Sequence, residues 1–341
     1  MARDSRAAYL RALEQVSPQL RQAFEEAVQN ARNAIVARVL EEAIARGDIQ
    51  FATDILSRQE YFKAPLDQSI VEIFNAGGAY QASLVPKRRT NTAPMMQARF
   101  DVLNDRGINT ARRLAGDLIT EITEDTRTTI RETITAGLEA NRPYRSIRRD
   151  LIGTRQGNQM RGGALGLHSR QAQAVRAARQ ELESGNYGAY LARSGEVRDK
   201  RFDKMIRRAR EEGRSLSADD VDKITARYAD GMLRHRARMI VRTEGHKAMQ
   251  AGRSEATQQM IDDGRIRPEL ITKRWVATVG KHTRDHHLAL NGTTVGWNEK
   301  FISPKTGFAM DRPHDPDAPP VDTVGCRCVL ITEIDFLAMA E

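Results

Sequence analysis

The sequence predicts a mainly α protein, an elongated long-helix body with a small C-terminal α+β module, on three observations. Ala, Arg, Gln and Glu are abundant in the 341 residues while aromatic residues make up only 5%, a composition that favours long helices over a sheet-rich globule. Apolar residues recur three or four apart through most of the chain, which is the spacing of one helix face. After Lys273 that period gives way to short, alternating, β-branched runs, which read as strands.

On this reading the chain has an N-terminal helical region (1–93), a long-helix bundle with a basic surface (94–264) and a small His- and Cys-containing module (265–341). The first helix is expected from Arg3 to Arg46, with Leu20, Phe24, Val28 and Ala31 on its stripe and a break at Ser17-Pro18, where serine before proline suits a fresh start. A second is expected from Pro65 to Asn75, ended by Gly77-Gly78. Val85 to Pro94 is a polar, proline-bounded connector and reads as a loop. From Met95 to Ala140, Leu114, Leu118, Ile122, Ile130, Ile134 and Leu138 fall on one line of fours, interrupted by Thr126. Unbroken, that helix would be roughly 65–70 Å long at 1.5 Å per residue, and the body elongated.

Asn141-Arg142-Pro143 ends it, and a short helix follows from Tyr144 to Ile152. Gly153 to Gly166 holds five glycines and reads as a mobile loop; no G-K-[ST] is present to make it a phosphate cradle. Helices are expected again over Ser169–Ser184 and Val197–Glu212. Ser217-Ala-Asp-Asp220 has the form of an N-cap box opening a helix that reaches Asp262. On it Ile240, Glu244, Ala248 and Gly252 share one line, which puts Glu244 on an apolar face where a carboxylate must be paired.

The net charge of +9 is unevenly placed: Asn141 to Arg253 carries 26 Lys+Arg against 13 Asp+Glu, a local excess of +13. Arg198, Lys200, Arg201, Lys204, Arg207, Arg208 and Arg210 form its densest cluster. Such a surface suits sequence-independent contact with double-stranded DNA or another polyanion; a solvated helix face is the alternative. No run of eighteen apolar residues predicts a membrane span. The N-terminus lacks an apolar signal region, and a C-x-C pair fits a reduced compartment better than a disulfide framework.

Chemistry-bearing side chains crowd the C-terminal end: His282, His286, His287 and His314, both cysteines and both tryptophans. On a strand, Cys326 and Cys328 would present both sulfurs to one face. They would supply two of four zinc ligands, with His287, His282 and His314 as the remaining donors. Structural zinc is therefore the one cofactor the donors suggest; two small thiols packed in a core is the alternative. His286-His287, Asn298 and His314 also loosely resemble the His-Asn-His arrangement of small metal-dependent nucleases. The enzyme alternative is thus a metal-dependent nuclease or hydrolase built on His286, His287 and Cys326/Cys328. No Ser-His-Asp set or nucleophile elbow is present, so no residue is assigned as catalytic.

The order of elements is recognisable. Arg242-Thr243-Glu244, then Trp275, Thr283-Arg284 with His287 and Leu290-Asn291-Gly292, then Pro313–Pro316 and Cys326-Arg327-Cys328 together resemble the phage head morphogenesis family, the Mu F-like minor head proteins. The likeness covers about 140–334. Two positions depart from it. Gly280-Lys281-His282 stands where the family usually has an acidic residue, which leaves His282 as a replacement donor, and Gly325 stands where an asparagine commonly precedes C-R-C. The resemblance implies a structural, non-enzymatic minor head protein of a tailed phage that associates with portal protein, major capsid protein or scaffold. It would lie in the virion, inside the head near the portal, contact packaged DNA, and be assembled in the host cytoplasm. Glu244 and Arg284 are expected to form a structural polar pair across the two halves of the domain.

Overall fold

A computed structural model describes residues 4–85, 88–90, 93–96, 98–336 and 338. It is mainly helical, with small antiparallel sheets. The helical periodicity locates the helices, but several of their ends fall elsewhere than expected. Helix α1 (Arg6–Asn33) passes through Pro18, and the first turn comes at 34–36 instead. An interior proline forfeits a hydrogen bond and costs about 3 kcal/mol; burial of Leu13, Leu20, Phe24, Ala27 and Val28 along one face offsets it. Helices α2 (Ala37–Ala45) and α3 (Ile49–Leu56) follow, and Asp48 caps α3 by accepting the Phe51 N–H at 3.0 Å.

Helix α4 (Glu60–Leu84) runs straight through Gly77-Gly78, which were expected to stop it. These glycines make room. A Cβ on Gly77 would lie 2.2 Å from the Met249 carbonyl oxygen, and one on Gly78 2.4 Å from the Phe100 ring. The expected connector Val85–Pro94 lies partly outside the described residues; its described part contributes to a short antiparallel pair, β1 (Arg88–Thr90) and β2 (Ala93–Met96). Helix α5 (Asp105–Glu139) begins ten residues later than expected, capped by Asn104, whose Oδ1 accepts the Gly107 N–H at 3.2 Å. Its 35 residues span roughly 52 Å at 1.5 Å per residue. Thr126, which interrupts the apolar line, is buried and satisfies its hydroxyl by donating to the Ile122 carbonyl at 2.7 Å.

Helix α6 (Tyr144–Ile152) matches its expected limits. The glycine-rich run after it is a packed hairpin, not a loose loop: β3 (Thr154–Gln156) pairs antiparallel with β4 (Gln159–Arg161), and Leu165 and Leu167 are fully buried. Gly153, Gly162 and Gly163 take positive φ against neighbouring backbone or Ala226 too close for any Cβ, so the glycines specify tight turns here. Arg32 donates to the Leu165 carbonyl at 2.8 Å and the Gly162 N–H donates to Asp230 at 2.8 Å. Then come α7 (Ser169–Glu183), α8 (Tyr187–Ala192), a single 3₁₀ turn (Lys200–Phe202), α9 (Asp203–Glu211) and α10 (Ala218–Ile240). Ser217 caps α10 by accepting the Asp220 N–H at 3.1 Å, as its sequence predicts.

Helix α10 continues through a π-helical turn, Val241–Gly245, into α11 (His246–Asp262). The C-terminal module then follows: β5 (Ile271–Val276), α12 (Asp285–Ala289), β6 (Thr294–Gly296), β7 (Phe301–Ile302), β8 (Ala309–Met310), α13 (Pro320–Thr323) and β9 (Val329–Ile334). Its main sheet is antiparallel in the order β6-β5-β9, with Trp275 opposite Leu330, and β7 and β8 form a separate hairpin. Trp275, Phe301, Met310, Leu330 and both cysteines share one apolar cluster.

The chain closes into two compact units, each gathered from separated segments: 1–22, 66–117 and 239–341 in one, 23–65 and 118–238 in the other. Among the described residues no helix is long and apolar enough to cross a membrane.

Candidate metal centre and its surroundings

Three elements of the first unit converge on one buried point. Helix α12 presents His287 from its first turn, β5 presents Trp275, and the segment entering β9 presents Cys326 and Cys328. The cysteines precede the strand instead of lying on it, yet both sulfurs face one way. His287 Nδ1 lies 3.4 Å from Cys326 Sγ and 3.4 Å from Cys328 Sγ. The Cys328 N–H donates to Cys326 Sγ at 3.2 Å, which folds the tripeptide back on itself. Trp275 meets the His287 ring edge-on at 5.6 Å and closes that side to water.

The Cys328 thiol is held below its ordinary range by its hydrogen bond with Cys326, with His287 and the Trp275 side chain also favouring the thiolate against burial. Cys326 is pushed up by the same hydrogen bond and by burial. Beside them, His286 packs on His287 at 4.6 Å and holds Asp322 Oδ1 at 3.2 Å. Asp322 is fully buried and accepts the hydroxyls of Ser303 (2.9 Å) and Thr306 (2.7 Å) as well. No spacing or motif singles out Asp322, which is brought to His286 by the turn of α13.

Of the five donors expected from the sequence, then, three meet. His282 is exposed and borders a cavity of about 480 Å³, in whose lining Cys326, Cys328 and His287 also take part. Arg242, Arg284, Arg327 and Lys281 give that cavity a basic wall. His314 lies beside the buried point, next to His287 and the Cys328 backbone, but outside the cluster of three donors. It is fully buried with φ +60° and stacks on His246 at 4.8 Å, and His246 Nδ1 meets the Tyr9 hydroxyl at 3.0 Å. Burial pushes the His246 pKa down to about 4 and lowers His314 well below the ordinary value, so both rings are neutral.

Glu244 is buried, as its position on the apolar line requires, and sits in the π-helical turn. Its ion pair is with Lys247, at 2.8 Å, where Arg284 was expected. Lys247 lies one turn on along the same helix, whereas the Arg284 guanidinium donates to the Val324 carbonyl. The link between the two motifs is instead backbone to side chain: the Gly325 N–H donates to Thr243 Oγ1 at 3.0 Å. Gly325 has φ +68°, a conformation open chiefly to glycine and, among other residues, to asparagine.

The basic cluster is less bare than its count of cations suggested. Asp199, Asp203 and Glu212 interleave with it: Arg201 pairs with Asp199 at 2.6 Å, Arg208 with Glu212 at 2.6 Å, Arg207 with Asp203 at 3.8 Å, and Arg198 with Asp203. Lys200, Lys204 and Arg210 are exposed and, among the described residues, have no carboxylate within 4.0 Å.

Comparison with known proteins places this geometry. The segment 125–331 matches the family described as Phage Mu protein F like protein, and the chain belongs to that family. It is similar to the minor head protein GP7 of Bacillus phage SPP1, 33% identical over 100 residues, which is 29% of this chain and 30% of that protein. It is also similar to the uncharacterized protein YqbB of Bacillus subtilis (strain 168), 32% identical over 104 residues, 30% of this chain and 32% of YqbB. The chain thus spans about a third of the length of either relative. No solved structure matches.

Proposed function

We propose that the protein is a structural minor head protein of a tailed bacteriophage, acting in head morphogenesis. The observation that carries this reading is the family match over 125–331, a segment that contains both the Arg242-Thr243-Glu244 turn and the C-x-C loop joined to it. In this role it associates with portal protein and with major capsid or scaffold protein, and resides in the virion head near the portal after assembly in the host cytoplasm. Exposed Lys200, Lys204 and Arg210 contact packaged double-stranded DNA through its phosphates, without reading sequence. Coexpression of the full chain with portal, capsid and scaffold proteins tests the assignment. The protein should sediment with assembled heads and stay with them after free protein is washed away; recovery only in the soluble fraction would overturn it.

The enzyme alternative has one feature in its favour, the contact of His286 with Asp322 beside His287. Incubation of the purified chain with plasmid DNA and added Mg²⁺, Mn²⁺ or Zn²⁺ decides it. Cleavage that disappears in His287→Ala would replace the structural reading with a nuclease.

A further inference from the structure

We propose that His287, Cys326 and Cys328 hold one Zn²⁺ ion through Nδ1 and two thiolate sulfurs, with its fourth position open to the cavity beside them. The geometry of the donors is the first argument. Zinc bonds of about 2.3 Å to sulfur and 2.0–2.1 Å to nitrogen at a tetrahedral angle place N and S about 3.5–3.6 Å apart. Both nitrogen-to-sulfur separations are 3.4 Å, and the three donor atoms lie within 4.8 Å of one another.

The second argument is valence. An imidazole nitrogen either donates one hydrogen or accepts one. It does not satisfy two sulfurs equally with hydrogen bonds, whereas a cation between the three satisfies all of them. Two thiolates and a neutral imidazole around a divalent ion also leave no net charge in a pocket whose members are each at most 3% exposed. Soft sulfur with imidazole selects zinc over magnesium or calcium.

The third argument concerns the missing ligand. A structural zinc site is closed by four protein donors, and an open one keeps a solvent position. His314 stacks on His246 beside Cys328 but outside the three donors that lie within 4.8 Å of one another, and His282 is exposed at the cavity border. A water molecule, or an anionic oxygen drawn by Arg242, Arg284 and Arg327, fills the fourth place. Loading joins α12 to the C-x-C segment, and so ties the ends of the C-terminal module together.

Full-length protein purified without metal-affinity resin is measured for zinc, then exchanged with Co²⁺. One zinc per chain is expected, together with Co²⁺ absorption of a tetrahedral site carrying sulfur-to-metal charge transfer. His282→Ala and His314→Ala should keep one metal per chain, and Cys326→Ser or Cys328→Ser should weaken binding more than about 100-fold, the upper range for loss of an outer-shell partner. Since the serine variants are at risk of misfolding, thiol labelling of the wild type supplies a second reading: chelation should accelerate modification of both cysteines. Substoichiometric metal, a charge-transfer band that survives Cys328→Ser, or labelling that ignores chelator would overturn the site. Loss of metal in His282→Ala would overturn the open fourth position.

Discussion

Arg253 ties the first unit together, and its removal is the most demanding test of how that unit is held. The side chain is 2% exposed and makes directed contacts in every direction. Nε and an amino group donate to Gln81 Oε1 at 3.0 and 2.9 Å, another donates to the Leu330 carbonyl at 2.7 Å, and the fork closes on the Asp4 carboxylate. The guanidinium also lies over Tyr9 and Tyr80, 5.5 and 5.2 Å from the ring centres. The Asp4 side chain is only 5% exposed, and among the described residues the Tyr80 hydroxyl and the Thr332 N–H, each at 3.0 Å, still donate to it once the arginine is gone. Removing one member of a buried pair costs about 3–5 kcal/mol, since the other charge stays behind. Arg253→Ala should therefore lose about 4 kcal/mol, and Arg253→Met nearly as much, because it restores volume without countercharge. Both tryptophans of the chain, Trp275 and Trp297, lie in this unit, so urea unfolding followed by their fluorescence reports on it directly. Asp4→Asn in the Arg253→Met background should cost less than in the wild type, with a coupling of about 1–3 kcal/mol. A loss under about 1 kcal/mol for Arg253→Ala, or strict additivity in the cycle, would refute the account.

Gly252 makes the contact reciprocal to Gly77: a Cβ there would lie 1.9 Å from the Phe74 carbonyl oxygen. Gly252→Ala should destabilise by about 1–3 kcal/mol through overpacking, while Gly116→Ala, with nothing within 4 Å, should stabilise by roughly 0.8–1 kcal/mol on helix propensity; equal denaturation midpoints for the two would contradict the close approach. His246 is held at about 4 by burial against about 6.5 unfolded, so the unfolded chain takes up the proton first as pH falls. Its contribution is present above pH 6.5 and is lost on the way down to pH 4, by about 3 kcal/mol in all; chemical denaturation of His246→Phe should show a flatter pH profile in that window, and an unchanged one would count against a neutral buried ring. Joint Lys200→Ala, Lys204→Ala and Arg210→Ala substitution should reduce the slope of log K against log salt for a random duplex by about 2.7, at about 0.9 per phosphate. Substituting the ion-paired Arg201 and Arg208 should change it little, and an unaltered slope in the triple variant would remove this surface from DNA contact.

Helical periodicity proved legible wherever one residue's burial decided the pattern. Leu114, Leu118, Ile122, Ile130 and Ile134 are buried as their spacing required, and Ser217 and Tyr144–Ile152 mark the helix limits they were expected to mark. What misled was punctuation. Pro18 and Gly77-Gly78 are stop signals only if nothing outside the helix compensates, and here tertiary packing does. The same holds for Gly153 to Gly166, where glycines that read as slack make a hairpin against close backbone. Counting cations without their neighbouring acids overstated the basic cluster, because Asp199, Asp203 and Glu212 sit within reach of the arginines. The π-helical turn at Arg242-Thr243-Glu244 is not anticipated by the spacing, because Ile240, Glu244, Ala248 and Gly252 read as one unbroken line of fours straight through it.

The motif residues acquire a common meaning once their partners are known. Asn291 Oδ1 accepts the Ala277 N–H at 2.9 Å, and the Gly292 N–H donates to the Trp275 carbonyl at 2.8 Å, so Leu290-Asn291-Gly292 fastens the end of β5. Asp315 accepts the N–H groups of Asp311 at 2.8 Å and Asp317 at 3.1 Å, which shapes the proline-rich turn. Thr243 holds Gly325, and Arg284 holds the Val324 carbonyl. Each element satisfies buried or turning backbone in a module whose strands are too short to do so by themselves. A series made of such fasteners specifies a fold, and it explains why so many polar residues gather in this module. His287 and the two thiols differ, because beyond the Cys328 N–H that Cys326 Sγ accepts, their side chains face one another. That convergence of motif side chains on one buried point is what the proposed zinc site rests on.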